Sequence, residues 1–363
     1  MVFDKLFIGD HPYTYARVCA MKGKLIGTEQ YHRMLKMRTN EILKFLQETT
    51  YKREIDEMTV THLGLRSAEA VLDKNLVRTL RKLKRISDGN LASVITKYLE
   101  RYDIYNLKTV LRGKFTGSGE EKIEPMLLNV GKINKAVLLN LIKRDHIDDM
   151  IGEIPHILGA GLSPESAREL SIHVKAARDA FKKHNNLFEI ENVLDHHYYA
   201  TMLEFSKRIA GQGDVFKTFL LHEIDVLNIK TLLRLKREKM HPAEIEKYLI
   251  FSGATLSRET LRRLLKINSL EELVEEIKKR GYCKRVDMDR LKKEGSLIDI
   301  ETHLQHYLLE KANLLLHQHL LTVNVILGYM LAKEIEVRNL KILIKGKGLG
   351  LPEEYLGREL IAR

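Results

Sequence analysis

A chain of 363 residues is long enough for two or three domains, because single cores tend to split beyond roughly 250–300 residues. Apolar residues make up 44% and charged residues 30%, a globular balance, and the 7% aromatic share with no Trp suits helical repeats better than a β-sandwich. The formal charge of +12 permits an acidic partner, a nucleic acid or an anionic surface without choosing among them, while Cys19 and Cys283, far apart and outside any C-x-x-C, point away from a disulfide framework or a cysteine zinc site.

From the amino terminus onward, "MVFDKLFIGDHPYTYARVCAMKGK" lacks a basic segment followed by a continuous apolar core, so a secretory signal is not expected and a cytoplasmic protein is. Leu35, Ile42, Leu43, Phe45 and Leu46 then read as the apolar side of one helix. The basic run "VRTLRKLKR" (Val77 to Arg85) could track phosphates, but without interleaved aromatics it reads as a solvated face or a protein interface. Further on, "LSPESAREL" marks Ser163 as an N-cap with Pro164 at the first helical position, and "ATLSRETLRRLL" offers Ser257 as another. Leu261, Leu264, Leu265, Leu270, Leu273, Val274 and Ile277 form a second apolar side. The most apolar stretch, Ala312 to Leu331, is interrupted by Asn313, His317, Gln318, His319 and Asn324, and reads as a buried helix and not a membrane span. No run of alternating strands is convincing, so the fold class expected is all-α.

One pattern recurs three times: "ERYDIYNLKTVLRGK" from Glu100, "HEIDVLNIKTLLRLK" from His222 and "KEIEVRNLKILIKGK" from Lys333. The consensus is [DE]-[IV]-x-N-[LI]-K-x-[VL]-[LI]-[RK]-x-K, carried by Asp103, Asn106 and Lys108, by Asp225, Asn228 and Lys230, and by Glu336, Asn339 and Lys341. The upstream segments "KLIGTEQYHRML…" and "GATLSRETLRRLL…" agree more faintly, each running from a Gly-containing turn through a Leu-rich helix into a second helix that ends before Tyr51 or Tyr282, and the middle copy "EKIEPMLLNVGKINKAVLLNLI…" is the most diverged. With junctions at the Gly-rich "RGKFTGSGEEK" and at "REKMHPAEI", three similar helical domains are expected, at 1–117, 118–240 and 241–363.

On a helix the acid, the Asn and the following apolar residues share one face, with the Lys pointing largely away. A half-buried acid and amide must find partners, and the end of a preceding helix could supply orphan backbone groups, so the motif reads as a polar clamp between helices and not as a catalytic constellation. No Gly-Lys is followed by Ser or Thr, so a Walker phosphate loop is absent, and the Gly-rich "KGKGLGL" reads as a helix end. Among the histidines, His303 and His306 could face one way, His196 and His197 diverge, and His317 and His319 read as packed imidazoles; no spacing marks a metal site, and no cofactor is expected.

The triplicated motif, the opening "YTYARVCAMKGKLI", the central "LDHHYYATML" and the closing "EIEVRNLKILIKGKGLGLPEEYLGREL" together resemble the C subunit of the archaeal-type rotary ATP synthase, the relative of the d subunit in vacuolar ATPases, over essentially the whole chain. That resemblance implies a non-catalytic component of three helical domains with pseudo-threefold symmetry, related by rotations near 120°, that form a funnel. It implies a place on the cytoplasmic face of the cell membrane, held there peripherally by partners. Those partners would be the rotor-ring proteolipid subunits and the central-stalk subunits, with no nucleic acid and no small-molecule substrate. It implies a mechanical adapter that couples ATP synthesis or hydrolysis to H⁺ or Na⁺ transport. A basic helical-repeat module for nucleic acid is the competing class and a helical metalloenzyme using the histidines a third; neither explains three equivalent motifs.

Overall fold

The computed structural model describes residues 5–8, 11–59, 65–284, 286, 288–289, 297–318 and 322–361. Its secondary structure is 76% helix and 1% strand, so the chain is all-α. Where no strand was expected there is one two-residue parallel pair, Leu6–Phe7 with Ile209–Ala210.

The helices fall in two compact units, residues 77–205 and residues 1–76 with 206–363. In the first lie α6 (Gly89–Tyr98), α7 (Arg101–Phe115), α8 (Glu120–Ile123), α9 (Lys135–Ile142), α10 (Ile147–Gly159), α11 (Pro164–His184) and most of α12 (Phe188–Ser206). The second holds α1 (Pro12–Lys22), α2 (Thr28–Leu35), α3 (Thr39–Gln47), α4 (Lys52–Thr59) and the start of α5 (Leu65–Ile86). It continues with α13 (Gly213–Arg237), α14 (Pro242–Ile245), α15 (Arg258–Lys266), α16 (Leu270–Lys279), α17 (Ile298–Gln318), α18 (Val323–Gly348) and α19 (Glu353–Glu359).

Local chemistry sets many of these ends. Ser163 Oγ accepts the Ser166 N–H at 3.2 Å, with Pro164 beginning α11, and Ser257 Oγ accepts that of Thr260 at 3.2 Å. Helix α11 stops at Asn185, whose φ of 47° is a left-handed C-terminal conformation that Asn tolerates. The Leu-rich helix and the second helix expected ahead of Tyr51 and of Tyr282 are both present, so each apolar side assigned to one helix is shared by two. Leu35 closes α2 while Ile42 and Leu46 belong to α3, and the Leu-rich stretch from Leu261 divides into α15 and α16, the latter capped by Ser269. Apolar spacing runs through such short breaks because both helices present their faces to one core. The apolar stretch from Ala312 likewise divides, with α17 ending at Gln318 and α18 starting at Val323; His319 and the side chain of His317 lie outside the described residues. Among the described residues no helix is long and apolar enough to cross a membrane.

Helices α13 and α18 are buried on nearly every side, which is why neither shows a polar face: from Leu327 to Lys333 every residue of α18 is buried. Around α18 pack α1, α3, α13, α17 and α19, whereas in the other unit α10 packs on α11, and α9 and α10 on α7.

Candidate functional site: the recurring polar clamp

Each motif lies on one long helix, α7, α13 or α18, and each Asn makes the same pair of bonds. Asn106 Nδ2 donates to Leu128 O at 3.0 Å while Leu128 N–H donates back to Oδ1 at 2.8 Å. Asn228 does so with Ile250 at 2.8 and 2.8 Å, and Asn339 with Ile361 at 2.8 and 3.0 Å. In all three the partner lies 22 residues downstream. All three Asn are buried, as are Ile123, Ile245 and Leu356 on the short helices α8, α14 and α19 that carry the chain toward the bonded residue. A side-chain amide thus ties a residue just past each short helix as a second backbone would, satisfying a buried N–H and C=O together.

The acids hold the start of a further helix. Asp103 accepts the N–H groups of Lys132 at 2.7 Å and Ile133 at 3.0 Å, just ahead of the N-cap Asn134 of α9. Asp225 accepts those of Thr255 at 2.8 Å and Leu256 at 3.2 Å, just ahead of the N-cap Ser257 of α15, and the Tyr282 hydroxyl donates to it at 2.6 Å. The backbone partners come from the loop just ahead of the helix that follows, where the end of a preceding helix was expected. Each carboxylate passes so close to a turn that only glycine fits there: a Cβ on Gly131 would stand 2.2 Å from Asp103 Oδ1, and one on Gly253 1.9 Å from Asp225 Oδ1.

Glu336 repeats this with partners from the other end of the chain. It accepts the N–H of Ile26 at 2.6 Å, just ahead of the N-cap Gly27 of α2, and the Tyr51 hydroxyl at 2.8 Å. Tyr51 therefore stands to Glu336 as Tyr282 stands to Asp225, and residues 24–51 complete the third copy. Buried Lys333 adds a bond to Glu336 at 2.7 Å and one to the Tyr51 oxygen at 3.0 Å. Every motif is bonded to a later segment or to the chain's beginning, so the bonds of Asn106 and Asn228 join residues on either side of the junctions expected at 117/118 and 240/241.

Burial is the main influence on Asp103 and Asp225. It pushes the Asp103 carboxyl up to about 6 against the two backbone N–H groups, and raises Asp225 against its Tyr282, Thr255 and Leu256 bonds. Burial together with the adjoining Glu336 raises the Tyr51 phenol, and burial together with Asp225 raises Tyr282.

The motif lysines do not simply point away. Lys108 Nζ meets Asp195 on α12 at 2.6 Å, and Lys341 Nζ meets Asp73 on α5 at 2.7 Å. Four residues on, Arg112 meets Glu191 at 2.6 Å, Arg234 meets Glu301 at 3.0 Å and Lys345 meets Glu69 at 3.8 Å. Lys230 has no ion pair among the described residues. These acids were missed, though a signal exists: Glu69-Ala-Val-Leu-Asp73 and Glu191-Asn-Val-Leu-Asp195 are nearly the same words.

The other candidates stay apart from this pattern. In the basic run, Arg78, Arg81, Lys84 and Arg85 are exposed, and Arg81 donates to Asn129 O at 2.8 Å. The rings of His303 and His306 lie 6.1 Å apart, and among the described residues no three of His, Cys, Asp and Glu could share a metal. Burial, then the Lys97 charge, lowers His197 to about 4. A cavity of about 600 Å³ in the 77–205 unit is lined by Asp103, Lys97, Lys132, His156, His197 and Thr201. Its lysines are already engaged, Lys132 with Ala160 O at 3.0 Å and Lys97 with Glu100.

The family model described as ATP synthase (C/AC39) subunit matches residues 14–359. The C subunit of the A-type ATP synthase of Methanosarcina mazei is 33% identical, over 99% of this chain and 95% of the relative. That of Methanococcoides burtonii is 31% identical over 97% and 94%, and that of Haloferax volcanii 29% over 97% and 98%. With a whole-chain match of this kind and relatives aligned end to end, the chain belongs to the ATP synthase (C/AC39) subunit family.

Proposed function

We propose that this protein is a non-catalytic adapter in an A/V-type ATP synthase, joining the membrane rotor ring to the central stalk and so coupling ATP turnover to H⁺ or Na⁺ transport. The observation that carries the reading is the match to C-subunit relatives along nearly the whole chain. The clamp adds a physical reason. A part that transmits torque must be stiff, and three long buried helices, each tied to its surroundings by buried, charge-assisted and reciprocal bonds, resist deformation. In this reading the chain forms three units with pseudo-threefold symmetry, arranged as a funnel whose wide contacts hold the ring proteolipids on one side and the stalk on the other. The protein sits on the cytoplasmic face of the membrane through those partners.

The test is copurification. From mild-detergent membrane extracts the chain should come down in fixed stoichiometry with ring and stalk components and stay with them as salt is raised, since an extended apolar and polar interface does not dissolve as phosphate contacts do. Recovery with nucleic acid, lost steeply with salt, would favour the competing class instead.

A further inference from the structure

The three copies differ in how they neutralise the motif lysine. In the first and third an aspartate does it, Asp195 for Lys108 and Asp73 for Lys341, and each aspartate follows by four residues the glutamate that binds the next cation. The matching segment of α17 is Glu301-Thr302-His303-Leu304-Gln305. Glu301 is in place and binds Arg234 at 3.0 Å, but Gln305 stands where the aspartate would be. Lys230 is left with neither ion pair nor hydrogen bond among the described residues. Burial is the largest influence on its ammonium and lowers its pKa, with Glu301 the chief opposing charge.

A second cation approaches the same stretch of α17 from α18. Arg338 replaces the Tyr105 and Leu227 of the other copies. Its Nη2 donates to Thr302 Oγ1 at 3.1 Å, while its Nη1 is buried without a hydrogen-bond partner among the described residues. Arg338 lies near enough to Lys230 to disfavour its charge. The carboxylates felt there are Glu301, already bound by Arg234, and Glu359, which accepts the Thr302 hydroxyl at 3.2 Å. Among the described residues, Lys230, Arg234 and Arg338 thus share two acids. The Arg338 Nη1 N–H and the Lys230 ammonium both lack an acceptor among the described residues, which is costly in a protein interior, and a charge-assisted acceptor removes the cost.

We propose that Lys230 and Arg338 form a binding site for a small oxyanion, inorganic phosphate or a carboxylate, between α13, α17 and α18, taking the part that Asp195 and Asp73 play in the other two copies. The site does not depend on the adapter reading, because it rests on the chain alone.

The test is thermal melting of the full purified chain against phosphate and, separately, acetate, each with a chloride control at matched ionic strength. The wild type should show a saturable rise of about 2–5 °C at a large excess of one of them, and which one distinguishes a tetrahedral from a planar anion. Gln305→Asp supplies the carboxylate internally, so it should lose the response. Lys230→Met should lose it too, and Gln305→Asp decides the matter if the Met variant does not fold. A wild type that rises no further in either anion than in chloride overturns the proposal, as does a Gln305→Asp protein that responds like the wild type.

Discussion

Asn228 and Leu are close in size, so replacing one by the other leaves packing nearly intact while the Ile250 N–H and C=O lose their partners in a buried place. The Asn228→Leu protein should lose about 1–3 kcal/mol of stability, read from urea melts. An unchanged midpoint would show that the amide is incidental. Asp103 gives a pH signature. Its folded-state carboxyl is raised from 3.8 to about 6, so the folded protein holds the proton more tightly than the unfolded chain does. The stability it contributes is fully present at low pH and is lost as pH rises through that window. Relative to Asp103→Asn, the wild type should therefore weaken between about pH 4 and 6 and level off above. A difference that grows with pH across the same range would mean the carboxylate, not the acid, is favoured.

At the scale of elements, the short helix α19 and the residues after it close the third clamp: Leu356 packs where a Cβ on Gly346 would stand 2.2 Å away, and Ile361 bonds Asn339. A protein ending at Leu351 should lose at least about 4 kcal/mol, from the apolar burial of Leu356, Leu360 and Ile361 and from a bare buried amide. An unaltered urea midpoint would contradict that role. Much at this scale was legible in the sequence. The caps at Ser163 and Ser257 follow from a hydroxyl ahead of an apolar helix, and the acid, Asn and Lys recur at fixed spacing on helices. What spacing cannot carry is the identity of a distant partner. Glu336 finds Ile26 and Tyr51 some 300 residues earlier, and no local periodicity encodes that the chain's start completes its end. The division of the stretches ahead of Tyr51 and Tyr282 into two helices was legible, but not that one core sets the apolar side of both. Asp73 and Asp195 escape a reading of the motif helices because they sit on other helices, in Glu-x-x-Leu-Asp words that face the motif only once the chain has folded.

At the scale of the whole chain the same clamp recurs three times, once in the 77–205 unit and twice in the other, and within each unit it ties a long helix to its surroundings. Close-packed interiors deform little, so strain applied at one surface is transmitted and not absorbed. Stiffness of this kind suits the adapter role proposed for this member of the ATP synthase (C/AC39) subunit family. The most direct test is ATP-driven ion uptake by the complex reconstituted in vesicles, with hydrolysis followed in parallel, with and without this chain. Complexes lacking it should still hydrolyse ATP while ion uptake per ATP is lost, and full uptake would contradict the adapter account.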